Sequence, residues 1–92
     1  MADIDTAARP AIGAGFRLQW EQAQEAHVLL YPEGMVRLSR SAAAIMTRCD
    51  GARTIATIVS DIEREYATTG LSSDVHAFIQ LALERLWLEL RP

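Results

Sequence analysis

From Phe16 onward, apolar and polar positions alternate: Phe16, Leu18 and Trp20 on one side, Arg17, Gln19 and Glu21 on the other. A period of two is the signature of a half-buried strand. The polar stretch Glu21 to Glu25 then predicts a turn, and His27 to Tyr31 a second strand, apolar on both faces at Val28, Leu29 and Leu30. Pro32-Glu33-Gly34 is strong turn chemistry, because Pro presets φ and Gly tolerates positive φ. Met35 to Leu38 reads as a short third strand, so three strands with tight connections predict an antiparallel meander. At Ser39 the period changes to helical. Ser39 or Ser41 can cap a helix carrying Ala42, Ile45, Met46 and Cys49, and Asp50-Gly51 stops it. Thr54 caps a second helix with Ile55, Ile58, Val59, Ile62 and Tyr66 on one face, ending at Thr68 to Gly70. Ser72 or Ser73 opens a third, with Asp74 suited to the positive end of its dipole, running to about Leu90. The order β-β-β-α-α-α predicts an α+β domain over residues 16–90. Residues 1–15 carry no apolar period and read as an N-terminal arm.

The last helix carries more apolar surface than one core needs. At about 100° per residue, Val75, Phe78, Ile79, Ala82, Leu83, Leu86 and Leu90 make one broad face. Leu81 and Leu88 fall on roughly the opposite side, beside Ala77, with Trp87 at the boundary. Two readings stand side by side: a second core stripe, or a docking face for a peptide or second subunit. The third strand presents a similar choice. Its edge can accept an extended peptide by strand addition, with Arg37 meeting an acidic side chain, or Arg37 can be an ordinary solvated residue.

Composition narrows the classes. The 92 residues are half hydrophobic, too apolar for a disordered chain, and no apolar run approaches the roughly 20 residues of a membrane span. Nine arginines and no lysine oppose twelve carboxylates, giving a net charge of −3. That balance argues against charge-driven nucleic-acid binding. A single cysteine, Cys49, makes neither an internal disulfide nor a zinc cage, and at an apolar helix position it reads as a buried thiol. His27 and His76 lie far apart, and Asp61, Glu63 and Glu65 scatter round the exposed side of the second helix. No nucleophile–base pair, metal cluster or phosphate-cradling glycine loop is visible. The expectation is a cytoplasmic binding protein with no catalytic residues, metal or cofactor of its own.

Several segments together carry a family likeness. Arg17-Leu18-Gln19-Trp20, Val28-Leu29-Leu30-Tyr31-Pro32-Glu33-Gly34, Leu38-Ser39-Arg40-Ser41-Ala42, Cys49-Asp50-Gly51 and Asp74-Val75, in that order, resemble the pyrroloquinoline quinone biosynthesis protein D family. The likeness spans about residues 10 to 90. Ser39 stands where the family often has Asn, a swap between two N-cap residues. The resemblance implies a winged-helix-like RiPP precursor recognition element. It implies a peptide chaperone that binds the ribosomal precursor of the quinone. The chaperone presents that peptide to a radical S-adenosylmethionine enzyme, which cross-links a Glu and a Tyr. It implies further that the precursor adds a strand to the third strand, beside Met35, Val36, Arg37 and Leu38, and lies against the third helix. Leu81, Arg85 and Leu88 are added as groove candidates from helical spacing alone. On this reading Val36→Pro should cripple peptide binding while sparing the fold.

The main alternative is a winged-helix DNA-binding regulator. It would need a basic second or third helix, whereas Asp61, Glu63 and Glu65 oppose Arg64 alone on the second. A third reading, an enzyme acting on the quinone, lacks visible catalytic groups. The N-terminal arm and a two-faced last helix also suit a homodimer, or an exchange of strands with a neighbour.

Overall fold

The structure is a computed structural model that describes residues 4–91. It is a small mixed α+β body with three helices and antiparallel sheets. Its elements in chain order are β1 (Arg9–Ile12), β2 (Arg17–Glu21), β3 (Ala26–Tyr31), β4 (Gly34–Arg37), α1 (Arg40–Met46), α2 (Ile55–Glu65), α3 (Ser72–Glu84) and β5 (Leu88–Arg91).

The strands β2, β3 and β4 form one sheet in that order, each antiparallel to the next. A 3-10 turn at Gln22–Gln24, ending on Glu25 with φ 49°, links the first two. Pro32 and Glu33 make the tight turn into β4, between the paired Tyr31 and Gly34. Leu18, Leu29 and Val36 lie in one cross-strand row and turn toward the helices; Leu29 is fully buried. Against that row pack Ala43, Ile45 and Met46 of α1, Ile55, Ile58 and Ile62 of α2, and Val75, Ile79 and Ala82 of α3. Burial of large apolar side chains of this kind contributes about 2 kcal/mol each, so this interface is what sets the sheet on the helices.

Two of the three helix starts expected from sequence are capped by a side chain, whereas α3 begins after Leu71 with no side-chain cap from Ser72 or Ser73. Ser39 Oγ accepts from the Ala42 N–H at 3.2 Å, and Thr54 Oγ1 from the Thr57 N–H at 3.1 Å. The remaining donors at the start of α2 find an unexpected partner, the N-terminal segment. Ile55 N–H donates to the Ala8 carbonyl and Ala56 N–H to that of Thr6, each at 3.0 Å.

That contact belongs to a larger correction. Residues 1–15 were expected to be an arm; the first three lie outside the described residues, but much of the rest is tied down. Arg9–Ile12 forms β1, which pairs antiparallel with β5 from Arg9↔Arg91 to Ile12↔Leu88. Gly51 N–H donates to the Pro10 carbonyl at 2.9 Å and Gly13 N–H to that of Trp87 at 2.8 Å. Ile4 and Ala8 pack on the core. The arm expected to reach a second subunit is therefore used within the chain.

The third helix is also shorter than expected. It ends at Glu84, Leu86 turns the backbone at φ 64°, and Leu88 enters a strand. Two further expectations fall with it. Leu86 and Leu90, assigned to the core face, are 70% and 43% exposed, and Leu88, assigned to an outer groove, is 2% exposed within the core. Helical spacing was extended past a turn made by a leucine, where no glycine marks the end. The observed order is thus four strands, three helices and a closing strand.

Candidate functional site

The sheet ends on β4, whose outer side pairs with no strand among the described residues. Which of its backbone groups face outward follows from the register. In an antiparallel pair, residues that exchange N–H···O bonds alternate with residues that do not. The Leu38 N–H donates to the His27 carbonyl at 3.0 Å. Stepping two residues at a time through the register, Val36 bonds Leu29 and Gly34 bonds Tyr31. Met35 and Arg37 are the alternate residues, so their N–H and C=O groups point away from β3, along the open edge. Val36 therefore uses its backbone groups inward, and its side chain packs against the core. The expectation that Val36→Pro would spare the fold is corrected accordingly.

The seven sequence-predicted site residues separate into three groups. Met35 and Arg37 are exposed on the edge, with the Gln24 amide donating to Met35 Sδ at 3.8 Å. Val36 is half-buried and Leu38 buried, and both support the edge from beneath. Of the helical trio, Leu81 is 37% exposed on α3. Arg85 follows the helix end with its guanidinium 5.3 Å from the Trp87 ring centroid. Leu88 is in β5 and buried, so it lines no open groove.

Sequence reasoning missed a cleft of about 1370 Å³ at the Arg37 end of the sheet. One wall is a cross-strand row. Trp20 pairs in register with His27, their rings 5.2 Å apart edge to face, and His27 is bonded to Leu38. The opposite wall is made by α1 and α2, from Arg40 to Tyr66. Arg37 and Leu38 line it too, whereas Met35, Val36 and the three α3-derived candidates do not. A signal was available in principle: Arg40 and Arg64 fall on helices, and Arg48 in the turn after the first, but their faces toward the hairpin follow only from the tertiary fold.

Cys49 and Asp50 are turned to structural use. Cys49 is buried, donates its thiol to the Ile45 carbonyl at 3.2 Å, and has its pKa pushed up to about 12 by burial and then by the Asp50 charge. A thiol so held is neutral at physiological pH and poorly nucleophilic. Asp50 is held below the usual carboxylate range by the N–H groups of Ala52 and Arg53, at 2.9 and 3.0 Å. Gly51, at φ 79°, hands its N–H to β1. The Cys-Asp-Gly motif thus ties α1, the loop before α2 and the N-terminal strand together. Among the described residues no His, Cys, Asp and Glu cluster suits a metal, and no helix is long and apolar enough to cross a membrane.

Comparison with known proteins agrees with this arrangement. The sequence profile described as Coenzyme PQQ synthesis protein D (PqqD) matches residues 26–88. The chain belongs to the PqqD family. A relative from Stutzerimonas stutzeri named PqqA binding protein is 49% identical over 92 residues, covering 99% of this chain and 100% of that protein. Another of that name, from Azotobacter vinelandii, is 54% identical over 82 residues, covering 88% and 89%. In three dimensions the chain is similar to the PqqD truncation of Methylobacterium extorquens PqqCD, solved by solution NMR, with a TM-score of 0.68 and 28% identity over 96% of this chain and 95% of that one. That PqqD is described as a functional, stand-alone recognition element for ribosomally synthesized and post-translationally modified peptides. The profile spans β3 to the start of β5, and so includes the β4 edge, both cleft helices and the Cys-Asp-Gly motif.

Proposed function

We propose that this chain is a peptide chaperone without catalytic activity of its own. It holds the ribosomal precursor peptide of pyrroloquinoline quinone as a strand added to β4. It presents that peptide to the radical S-adenosylmethionine enzyme that joins a Glu and a Tyr within it. The observation that carries this reading is the β4 edge, whose Met35 and Arg37 backbone groups point outward in a family whose relatives are named for binding PqqA. Backbone pairing supplies affinity there, and Leu81 and Arg85 of the α3 region are the flanking side chains proposed to select sequence. Describing the β2–β4 sheet and its helices as winged-helix-like, and placing the protein in the cytoplasm, belong to the same proposal. The working unit is one copy, because β4-to-β4 pairing of two copies would consume the same outward groups.

The test is a calorimetric titration with the precursor peptide, comparing two prolines. Met35→Pro removes an outward donor and should abolish measurable binding while leaving the far-ultraviolet dichroism close to the parent's. Val36→Pro breaks the bond to Leu29 and should unfold or strongly destabilise the protein. Parent-like affinity in a folded Met35→Pro protein would sink the strand-addition reading.

A further inference from the structure

The cleft beside β4 has an electrostatic character opposite to the whole chain. The protein carries −3 overall, yet five of its nine arginines line this cleft against three of its twelve carboxylates. Most of the acidic groups are already engaged. Glu65 bonds Arg48, and Asp61 lies 3.9 Å from Arg53 and 3.5 Å from Arg64. Glu25 is the remaining carboxylate of the lining. Among the described residues Arg37 and Arg40 make no ion pair, and both stand where the cleft meets the end of β4. Trp20 and Tyr66, 50% and 44% exposed, give the cleft large aromatic surface. Arginines beside aromatic surface suit an anionic polypeptide segment, which takes bidentate guanidinium contacts while its apolar neighbours cover the rings.

We propose that this cleft receives an acidic segment of the precursor, continuous with the strand paired on β4. The inference rests on the peptide-chaperone reading and extends it. Continuity decides the occupant: Arg37 offers its backbone to the edge and also lines the cleft, and Leu38 leads straight into it. A peptide that pairs past Met35 and Arg37 leaves the sheet at Leu38, where the Trp20–His27–Leu38 row opens across the end of the sheet. Its acidic side chains then meet Arg37 and Arg40, giving the binding a salt-sensitive component that backbone pairing lacks.

Arg40→Glu tests this directly. Arg40 is the first residue of α1, where a carboxylate favours the helix, so the variant should fold. Calorimetry with the unmodified precursor should show about tenfold weaker binding at low salt, with the gap closing at high salt. A precursor whose acidic residues are replaced by their amides should bind parent and variant alike. In isotope-labelled parent protein the Trp20 indole N–H, bonded to Gln22 Oε1 at 3.2 Å, should shift on titration with the unmodified peptide. Equal affinities for parent and Arg40→Glu, with no Trp20 shift, would overturn the cleft while a binding loss in Met35→Pro kept the edge. Loss in Arg40→Glu but none in Met35→Pro would overturn the continuity between them. A precursor that fails to bind the parent protein would overturn both readings.

Discussion

At the scale of single residues, the family motif does its work through burial and backbone geometry. Cys49 shows this most directly. Its thiol stays protonated up to about pH 12 in the folded chain, against 9.0 for an unhindered cysteine. Above pH 9 the unfolded chain therefore loses a proton that the folded chain keeps, and stability falls as pH rises toward 12. The expected loss is about 1.4 kcal/mol by pH 10, and Cys49→Ala should lose correspondingly less over the same range. Urea titrations of both proteins at neutral and alkaline pH check it; parallel pH profiles would refute it. Gly13 makes a related point about space. A Cβ there would sit 2.1 Å from the Leu86 carbonyl oxygen, so a residue that reads as loose lead-in is fixed by the close passage of two backbones.

At the scale of elements, the helix ends explain both what the sequence revealed and what it hid. The three meander strands were legible because alternation and Pro32 chemistry are local signals, and α1 and α2 because their capping serines and threonines precede clear apolar periods. The ends of α2 and α3 were harder. Beyond α2, Ala67 N–H bonds the Arg64 carbonyl and Thr68 N–H that of Glu63; beyond α3, Leu86 N–H bonds Leu83 and Trp87 N–H bonds Ala82. Both are Schellman closures, which normally place Gly in the left-handed position. Here Ala67 and Leu86 occupy it, at φ 51° and 64°. No residue type announces such a turn, and this is why helical spacing runs on to Leu90 and puts Leu88 on an outer groove. The clasp of β1 and β5 was hidden for a different reason: its four-residue strands pair ends of the chain that no local pattern connects. For the same reason the edge residues were found from sequence, whereas the cleft, assembled from a hairpin and two helices, was not. Replacing Ala67 or Leu86 by Gly should stabilise the protein by about 1 kcal/mol each, because both positions are exposed and only glycine adopts positive φ without strain. Chemical denaturation checks this, and a lower midpoint for both variants would contradict the strain argument.

At the scale of the molecule, a chain of 92 residues has limited core, and its sheet stops at a strand with outward backbone groups unpaired by any other strand among the described residues. A partner that adds a strand to β4 binds the folded chain and not the unfolded one, since the outward phase of Met35 and Arg37 exists only when Val36 is paired with Leu29. Mass action then links occupancy to stability. At free peptide about 100 times its dissociation constant, the folded state gains about 2.7 kcal/mol. For a domain of this size that raises Tm by on the order of 10 °C. Scanning calorimetry with and without the precursor measures the shift. Met35→Pro should show none at the same peptide concentration, and Arg40→Glu a smaller one than the parent at low salt. Tight precursor binding without a rise in Tm would mean that the peptide holds the unfolded chain equally well, an outcome incompatible with recognition by a sheet edge that only folding creates.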